Sequence, residues 1–369
     1  MRYMKVKTAL AEPGMIVGRD IYSASGQLII NAGTELTDHV ITRLQFYSIP
    51  ELSIAIPDKK SAESKKASPA RAASSQYLTH VEQVKAGDEF KQFSKAFYST
   101  FVSFREHLNQ VVRGEAALNT ELLLETVTEI FSSCKNPNSL FDMMLCIRSL
   151  DDVTYVHNMN VALVCKMFAG WLKFSEKETN NLIIAGLLHD IGKMLIPKSI
   201  LTKPTKLTAE EFQTVKNHAQ LGYSILKNQK IDPHICLAAL QHHERCDGSG
   251  YPLGLTATQM DPYAKIVAIA DVYDALTASR VYRGPVCPLE AIGIFQTEGL
   301  TKYDPKYLLV FLDGIMNAYL NCTVRLSTGE VGRIVMMQRN SLDRPVVQIS
   351  NDRFIDLNKT PGITVAELI

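Results

Sequence analysis

From Phe90 onward the apolar positions fall into a single seam. Phe90, Phe93, Phe97, Phe101, Phe104, Leu108 and Val111 follow one another at intervals of 3, 4, 4, 3, 4 and 3 residues. A mean near 3.5 is the period of a helix with one continuous apolar edge. The seam predicts a long helix that either packs on its own domain or pairs with a second copy, and the second option makes a homodimer an expectation. More helical pattern follows within 77–139, where Pro137 separates "ALNTELLLETVTEIF" from "LFDMMLCIRSL". Residues 140–320 are mostly helical by period. Within them a capping box, Thr208 to Glu211, opens "TAEEFQTVKNHAQLGYSIL". Phe212, Val215, His218, Gly222 and Ile225 form its expected inward stripe.

The two ends of the chain have a different rhythm. Residues 1–56 carry short extended runs, "GMIVGRDIYSASGQLIINAGTEL", around a Ser-Gly turn. Thr37 or Asp38 can then cap a short helix, "DHVITRLQFYS", before another strand, "ELSIAI". Residues 57–76, "PDKKSAESKKASPARAASSQ", are rich in Lys, Ser, Ala and Pro and read as a flexible basic linker. Residues 321–369 return to β-branched runs with a Thr-Gly turn at 328–329. The predicted fold is mainly α, a helical core at 140–320 with a small N-terminal β-rich module and a small C-terminal β cap.

Composition narrows the class without deciding it. Apolar residues make up 46% and charged residues 21%, and the net charge is +1, so no overall field points to a nucleic-acid polymer or a membrane. Seven cysteines (134, 146, 165, 236, 246, 287 and 322) are odd in number and lack CxxC spacing, the pattern of free thiols in a reducing compartment. "MRYMKVKTALAEPGM" lacks the apolar core of a secretion signal. The apolar stretches Val161–Phe174 and Leu182–Ile196 are interrupted by polar residues and fall short of the ~20 residues of a membrane span. A cytoplasmic protein is expected.

The chemistry lies in polar residues that interrupt apolar segments. "GLLHDIGKML" (186–195) sets His189 and Asp190 side by side where a polar group without a partner costs several kcal/mol, about 2–7. His157, His218, the pair His242 and His243, and Asp271 at the end of "KIVAIA" sit in similar surroundings. Singly, each has an ordinary explanation as a core histidine or a buried cap. Together they are five imidazoles and two carboxylates, a donor set suited to transition metals and sufficient for two divalent ions with water completing their shells. Adjacent helical residues point ~100° apart, so an HD or HH pair can serve two ions.

"HDIGK" together with "HHERCDGSGYP" resembles the HD-GYP family, a branch of the HD metallohydrolases, and "ADVYDALTASRVYR" (270–283) is similar to the family's later helix. The resemblance covers residues 140–320; residues 1–56 and the β tail are similar, less distinctively, to segments that flank such domains. It implies a helical phosphodiesterase that hydrolyses cyclic di-GMP to linear pGpG, and in some members to GMP. It also implies that His157, His189, Asp190, His218, His242, His243 and Asp271 hold two ions, iron or manganese, with Asp190 bridging them.

By the same resemblance Lys193 would offset charge on the reacting phosphate or protonate the leaving group. Arg280 and Arg283, three apart, would meet the second phosphate from one side of a helical turn. Gly248 and Gly250 permit a tight loop, while Tyr251 would stack on a guanine or plug the loop. That loop is also an expected contact for GGDEF-domain proteins. Members with a third metal use an acid one turn before the first histidine; here Val153 stands there, with Asp151 and Asp152 nearby, so two ions are expected. Alternatives are a phosphodiesterase acting on 3′3′-cGAMP and a non-catalytic signalling module.

Overall fold

A computed structural model describes residues 2–8, 11, 14–22, 28–36, 51–56, 84–134, 139–147, 153–203, 205–278 and 287–369. The chain divides into two compact units, residues 1–77 forming most of the first and residues 78–278 and 286–369 the second. The expected helix at 38–48 and the expected linker at 57–76 lie outside the described residues.

In the first unit β1 (Arg2–Lys7) pairs antiparallel with β5 (Glu51–Ile56), which also pairs with β2 (Ile16–Val17). β3 (Ile21–Tyr22) and β4 (Leu28–Ile30) form the expected antiparallel pair. Val6, Val17, Ile21, Ile30, Leu36, Leu52 and Ile54 close a small core of their own.

The second unit opens with α1 (Asp88–Val112), the helix of the phenylalanine seam, followed by α2 (Thr120–Ser132) and α3 (Leu140–Ile147). α4 (Val153–Leu172) and α5 (Glu176–Leu188) form its central hairpin. The seam is spent inside the chain. Phe93, Phe97, Phe104 and Leu108 have no exposed surface, and Phe101 and Phe104 meet the edge of Tyr155 on α4 with centroids 6.3 and 6.2 Å apart. The periodicity that suggested a homodimer is therefore met by packing within the chain, with Phe90 partly exposed at its start. Phe97→Ala should lower stability by about 3–5 kcal/mol, the usual range for emptying a buried phenylalanine site. Phe97→Asp should abolish the cooperative unfolding transition. A variant that keeps its stability and only sediments more slowly would show the seam to be an interface.

The chain continues through a 3₁₀ turn (Ile191–Leu195), α6 (Lys198–Leu201), α7 (Ala209–Lys216), α8 (His218–Lys227), α9 (Pro233–Gln241), α10 (Pro262–Thr277), α11 (Pro288–Lys302) and α12 (Pro305–Tyr319). The Thr208–Glu211 capping box starts α7 as expected. The single helix expected beyond it is instead two, broken at Asn217, which turns the stripe so that Phe212 is 49% exposed while His218 is buried. α10 also stops early. It ends at Thr277, with Ala278 extended (φ −77°, ψ 144°), and Arg280 and Arg283 lie outside the described residues.

Residues 323–368 form a five-stranded antiparallel sheet in the order β10-β6-β7-β8-β9: β6 (Thr323–Leu326), β7 (Val331–Gln338), β8 (Ser341–Ser350), β9 (Arg353–Asp356) and β10 (Val365–Leu368). This sheet is the expected C-terminal β cap. Val324, Leu326, Ile334, Leu342, Val347 and Leu357 join the same hydrophobic cluster as the helices, because the alternation along each strand gives the sheet one apolar face to cover. No helix among the described residues is long and apolar enough to cross a membrane.

Candidate metal centre

The centre is built where helices end. A capping box, Ser175 with Glu178, starts α5, and the helix delivers His189 at its far end. Asp190 leaves helical geometry (φ −103°, ψ 11°) before the 3₁₀ turn. His218 opens α8, His242 and His243 follow the last residue of α9, His157 stands in the second turn of α4, and Asp271 lies within α10.

All seven side chains singled out in the sequence meet, in two groups: Asp190, His218, His242 and His243, and His157, His189 and Asp271. Within each group the potential ligand atoms lie within 4.8 Å of one another. Asp190 faces both. Its Oδ1 is 3.3 Å from His218 Nε2 and 3.5 Å from His242 Nε2, while its Oδ2 is 3.4 Å from His189 Nε2 and 3.8 Å from His157 Nε2. Lys193 pairs with the same Oδ2. Asp271 Oδ1 is 3.0 Å from His157 Nε2, and its Oδ2 is 3.8 Å from His243 Nδ1.

Backbone carbonyls fix the tautomers of three imidazoles. The Nδ1 atoms of His189, His218 and His242 donate to Gly186 O (2.8 Å), Val215 O (2.6 Å) and Ala239 O (3.0 Å). A carbonyl only accepts, so each Nδ1 carries a proton, and each ring in its neutral form turns a bare Nε2 inward. His218 Nε2 and His242 Nε2 then face each other at 3.3 Å, lone pair toward lone pair. Among the described residues, His189 Nε2 and Asp190 Oδ1 are buried without a hydrogen-bond partner. Such a concentration of acceptors is unfavourable when dry and becomes favourable around cations. The donor set thus fits metal ions.

Burial lowers the pKa of His218 to about 4 and also lowers those of His242 and His243, which keeps these rings neutral near pH 7. Burial opposes ionisation of Asp190, but the Lys193 ammonium and the His189 imidazole outweigh it and hold the carboxyl well below the usual range. Asp271 is likewise held low against its burial, by His157. For His157 burial favours the neutral ring, yet hydrogen bonds to Asp271 and Asp274 carry its pKa up to about 9.

These opposite shifts predict a stability maximum for metal-free protein near pH 6.5. Between about 4 and 6.5 the unfolded chain takes up protons that His218 refuses when folded, so stability falls as pH drops. Between 6.5 and about 9 folded His157 keeps a proton that the unfolded ring releases, so stability falls as pH rises. Calorimetry across this range checks both limbs. A melting temperature that climbs steadily from pH 6.5 to 9 would contradict a protonated His157.

Two supporting residues escaped the sequence reading. Asp274, one turn beyond Asp271, accepts from His157 Nδ1 at 2.7 Å and from Asn160 Nδ2 at 3.0 Å. Its i, i+3 spacing from Asp271 in "ADVYDAL" was the available signal. Glu244 is fully buried and accepts the backbone N–H groups of Leu253 (2.6 Å) and Leu255 (2.9 Å), pinning the loop that follows the histidine pair. Gly250 passes so close to Glu244 that an added Cβ would overlap the Glu244 backbone. This folds Tyr251 back onto the centre, its ring stacked on His243 with centroids 4.6 Å apart. Lys216 Nζ also lies over the Tyr251 ring, at 5.0 Å. With both neighbours in place, a guanine could stack there only by displacing one of them.

Residues 139–307 match the family model described as "HD domain". A cyclic di-GMP phosphodiesterase of Pseudomonas aeruginosa is 32% identical over 284 residues, covering 76% of this chain and 65% of that protein. A cyclic di-GMP phosphodiesterase response regulator of Xanthomonas campestris is 33% identical over 60% of this chain and 58% of its own length. A 3′3′-cGAMP-specific phosphodiesterase of Vibrio cholerae is 39% identical over 39% of this chain and 34% of its own. The chain spans less than two thirds of the length of each of these relatives.

Proposed function

We propose that residues 139–307 form a domain of the HD family, in its HD-GYP branch, and that the protein is a metal-dependent phosphodiesterase that opens cyclic di-GMP to pGpG. The observation that carries this reading is the pair of His/Asp groups with Asp190 turned toward both. We assign two divalent ions, iron or manganese, to His157, His189, Asp190, His218, His242, His243 and Asp271, with Asp190 shared. When bound, such ions would supply Lewis-acid activation of the phosphate and of the attacking water. The count of two rests on the division of the donors and on Val153, which opens α4 one turn before His157 and offers no lone pair. Asp151 and Asp152 lie outside the described residues.

The chain's own groups do the rest. The carbonyl-bound Nδ1 protons orient the rings, and Asp274 does the same for His157. Lys193, partly exposed and beside Asp190, neutralises charge growing on the phosphate or protonates the departing 3′ oxygen. Arg280 and Arg283 are assigned to the second phosphate on the resemblance. Tyr251 is assigned to the wall of the substrate site, and the loop around exposed Leu253 to the contact with a GGDEF-domain partner.

Preference for 3′3′-cGAMP is the second reading, favoured by the likeness to the Vibrio cholerae enzyme. A complete donor set with Lys193 in place argues against a non-catalytic module. Anaerobic protein loaded with Fe(II) or Mn(II), given each dinucleotide and followed by chromatography, tests the proposal. Metal-dependent appearance of pGpG is the expected result. Failure to open either dinucleotide at full metal loading would overturn it.

A further inference from the structure

Lys216 is a half-buried cation beside the proposed metal centre that the reaction outlined above does not use. It is the last residue of α7, two positions before His218. Its Nζ lies 4.9 Å from the Phe212 ring centre and 5.0 Å from that of Tyr251. Tyr251 in turn stacks on His243, so a single aromatic ring separates the ammonium from the Asp190–His218–His242–His243 group. Two other lysines on the same stretch are neutralised, Lys193 by Asp190 and Lys203 by Glu211. Among the described residues no carboxylate forms an ion pair with Lys216. The two rings flank its ammonium and leave its charge uncompensated.

We propose that Lys216 binds substrate directly, as a further cation, in addition to Arg280 and Arg283, that engages the phosphate not being cleaved in a cyclic dinucleotide. This rests on the phosphodiesterase reading above. A cyclic dinucleotide carries two phosphodiesters in one macrocycle, each with one negative charge. When one of them occupies the His/Asp groups, the other needs a partner at the rim. An ammonium is a point charge with three donors, suited to a phosphate whose orientation is already set by the rest of the ring. Because Phe212 and Tyr251 restrict the side chain beforehand, little freedom remains to be lost when the phosphate arrives. Exposed Phe212 is thereby accounted for as one wall of the lysine's seat.

The test compares a substrate that has the second phosphate with one that lacks it. Lys216→Met keeps the stem and removes the charge; Lys216→Arg keeps the charge. Each variant and the parent protein, loaded with Mn(II) and checked for metal content, are assayed on cyclic di-GMP and on bis(p-nitrophenyl) phosphate. Lys216→Met should raise KM for cyclic di-GMP by roughly tenfold, the worth of one hydrogen bond to a charged group, and leave its kcat within about twofold. The single-phosphate substrate should be handled as by the parent, and Lys216→Arg should recover most of the lost affinity. The rise of KM with ionic strength should be shallower in Lys216→Met. An unchanged KM for cyclic di-GMP overturns the proposal. So does an equal loss on both substrates or a loss of metal, since either would make Lys216 a support of the centre. If the parent protein cleaves neither cyclic di-GMP nor 3′3′-cGAMP, the functional reading itself falls, and this inference with it.

Discussion

Asp190→Ala is expected to reduce turnover of cyclic di-GMP by at least about 10³-fold, more than the loss of a single hydrogen-bond donor at a reacting group. Asp190 is the carboxylate placed between the two groups, with one oxygen near His218 and His242 and the other near His189 and His157. Removing it takes the shared anion from both at once, so metal per chain should fall well below two. The backbone should tolerate the change, because the Asp190 side chain makes no helix-capping hydrogen bond and Lys193, once stranded, is exposed enough to reach water. Elemental analysis and far-ultraviolet circular dichroism check the two halves separately. Full metal content with near-parental turnover would refute the shared position of Asp190.

Gly192→Ala is expected to be nearly as damaging, through packing alone. A Cβ at residue 192 would overlap the His218 carbonyl oxygen and the Gly222 amide nitrogen. These are backbone atoms in the first turns of α8 and cannot rotate aside as a side chain can. The 3₁₀ turn and α8 must therefore separate, carrying His218 away from Asp190 and His242. The cost should reach the upper end of the usual 1–3 kcal/mol for overpacking or exceed it. Metal content should drop toward one per chain, since His157, His189 and Asp271 stand on other elements. Gly222→Ala is the milder control, because its added Cβ would come no closer than 3.3 Å to the Gly192 nitrogen. Thermal melts and metal analysis of the two variants decide this; equal, small effects would mean that the contact has slack.

The identities of the donors were legible because each violates its surroundings. A histidine or aspartate inside a run such as "GLLHDIGKML" cannot be satisfied by neighbours in sequence, so its partner must come from elsewhere, and imidazoles and carboxylates in that position leave few partners besides a cation. The helices were legible for a related reason: period and caps are local, and Thr208 with Glu211 or the phenylalanine run announce themselves within a few residues. What covers an apolar face is not local. The 3.5-residue seam of α1 is the same string whether a second chain or α2 and α4 lie against it, and only the packed unit shows the latter.

The same limit explains the residues that were missed or misplaced. Asn217 and Ala278 end helices whose apolar period runs on past them, because tertiary contacts override a weak local preference. Glu244 and Asp274 look like ordinary acids until the loop amides of Leu253 and Leu255 and the His157 ring are brought to them by distant segments. The sequence by itself determined which side chains would need partners from distant segments, since burying them alone is costly in any fold. The tertiary structure alone decided how they are shared: backbone carbonyls set which nitrogen faces inward, and the break after α5 turns the two oxygens of Asp190 toward different groups. Those are relations between elements far apart in the chain, and no local pattern encodes a distance across a core.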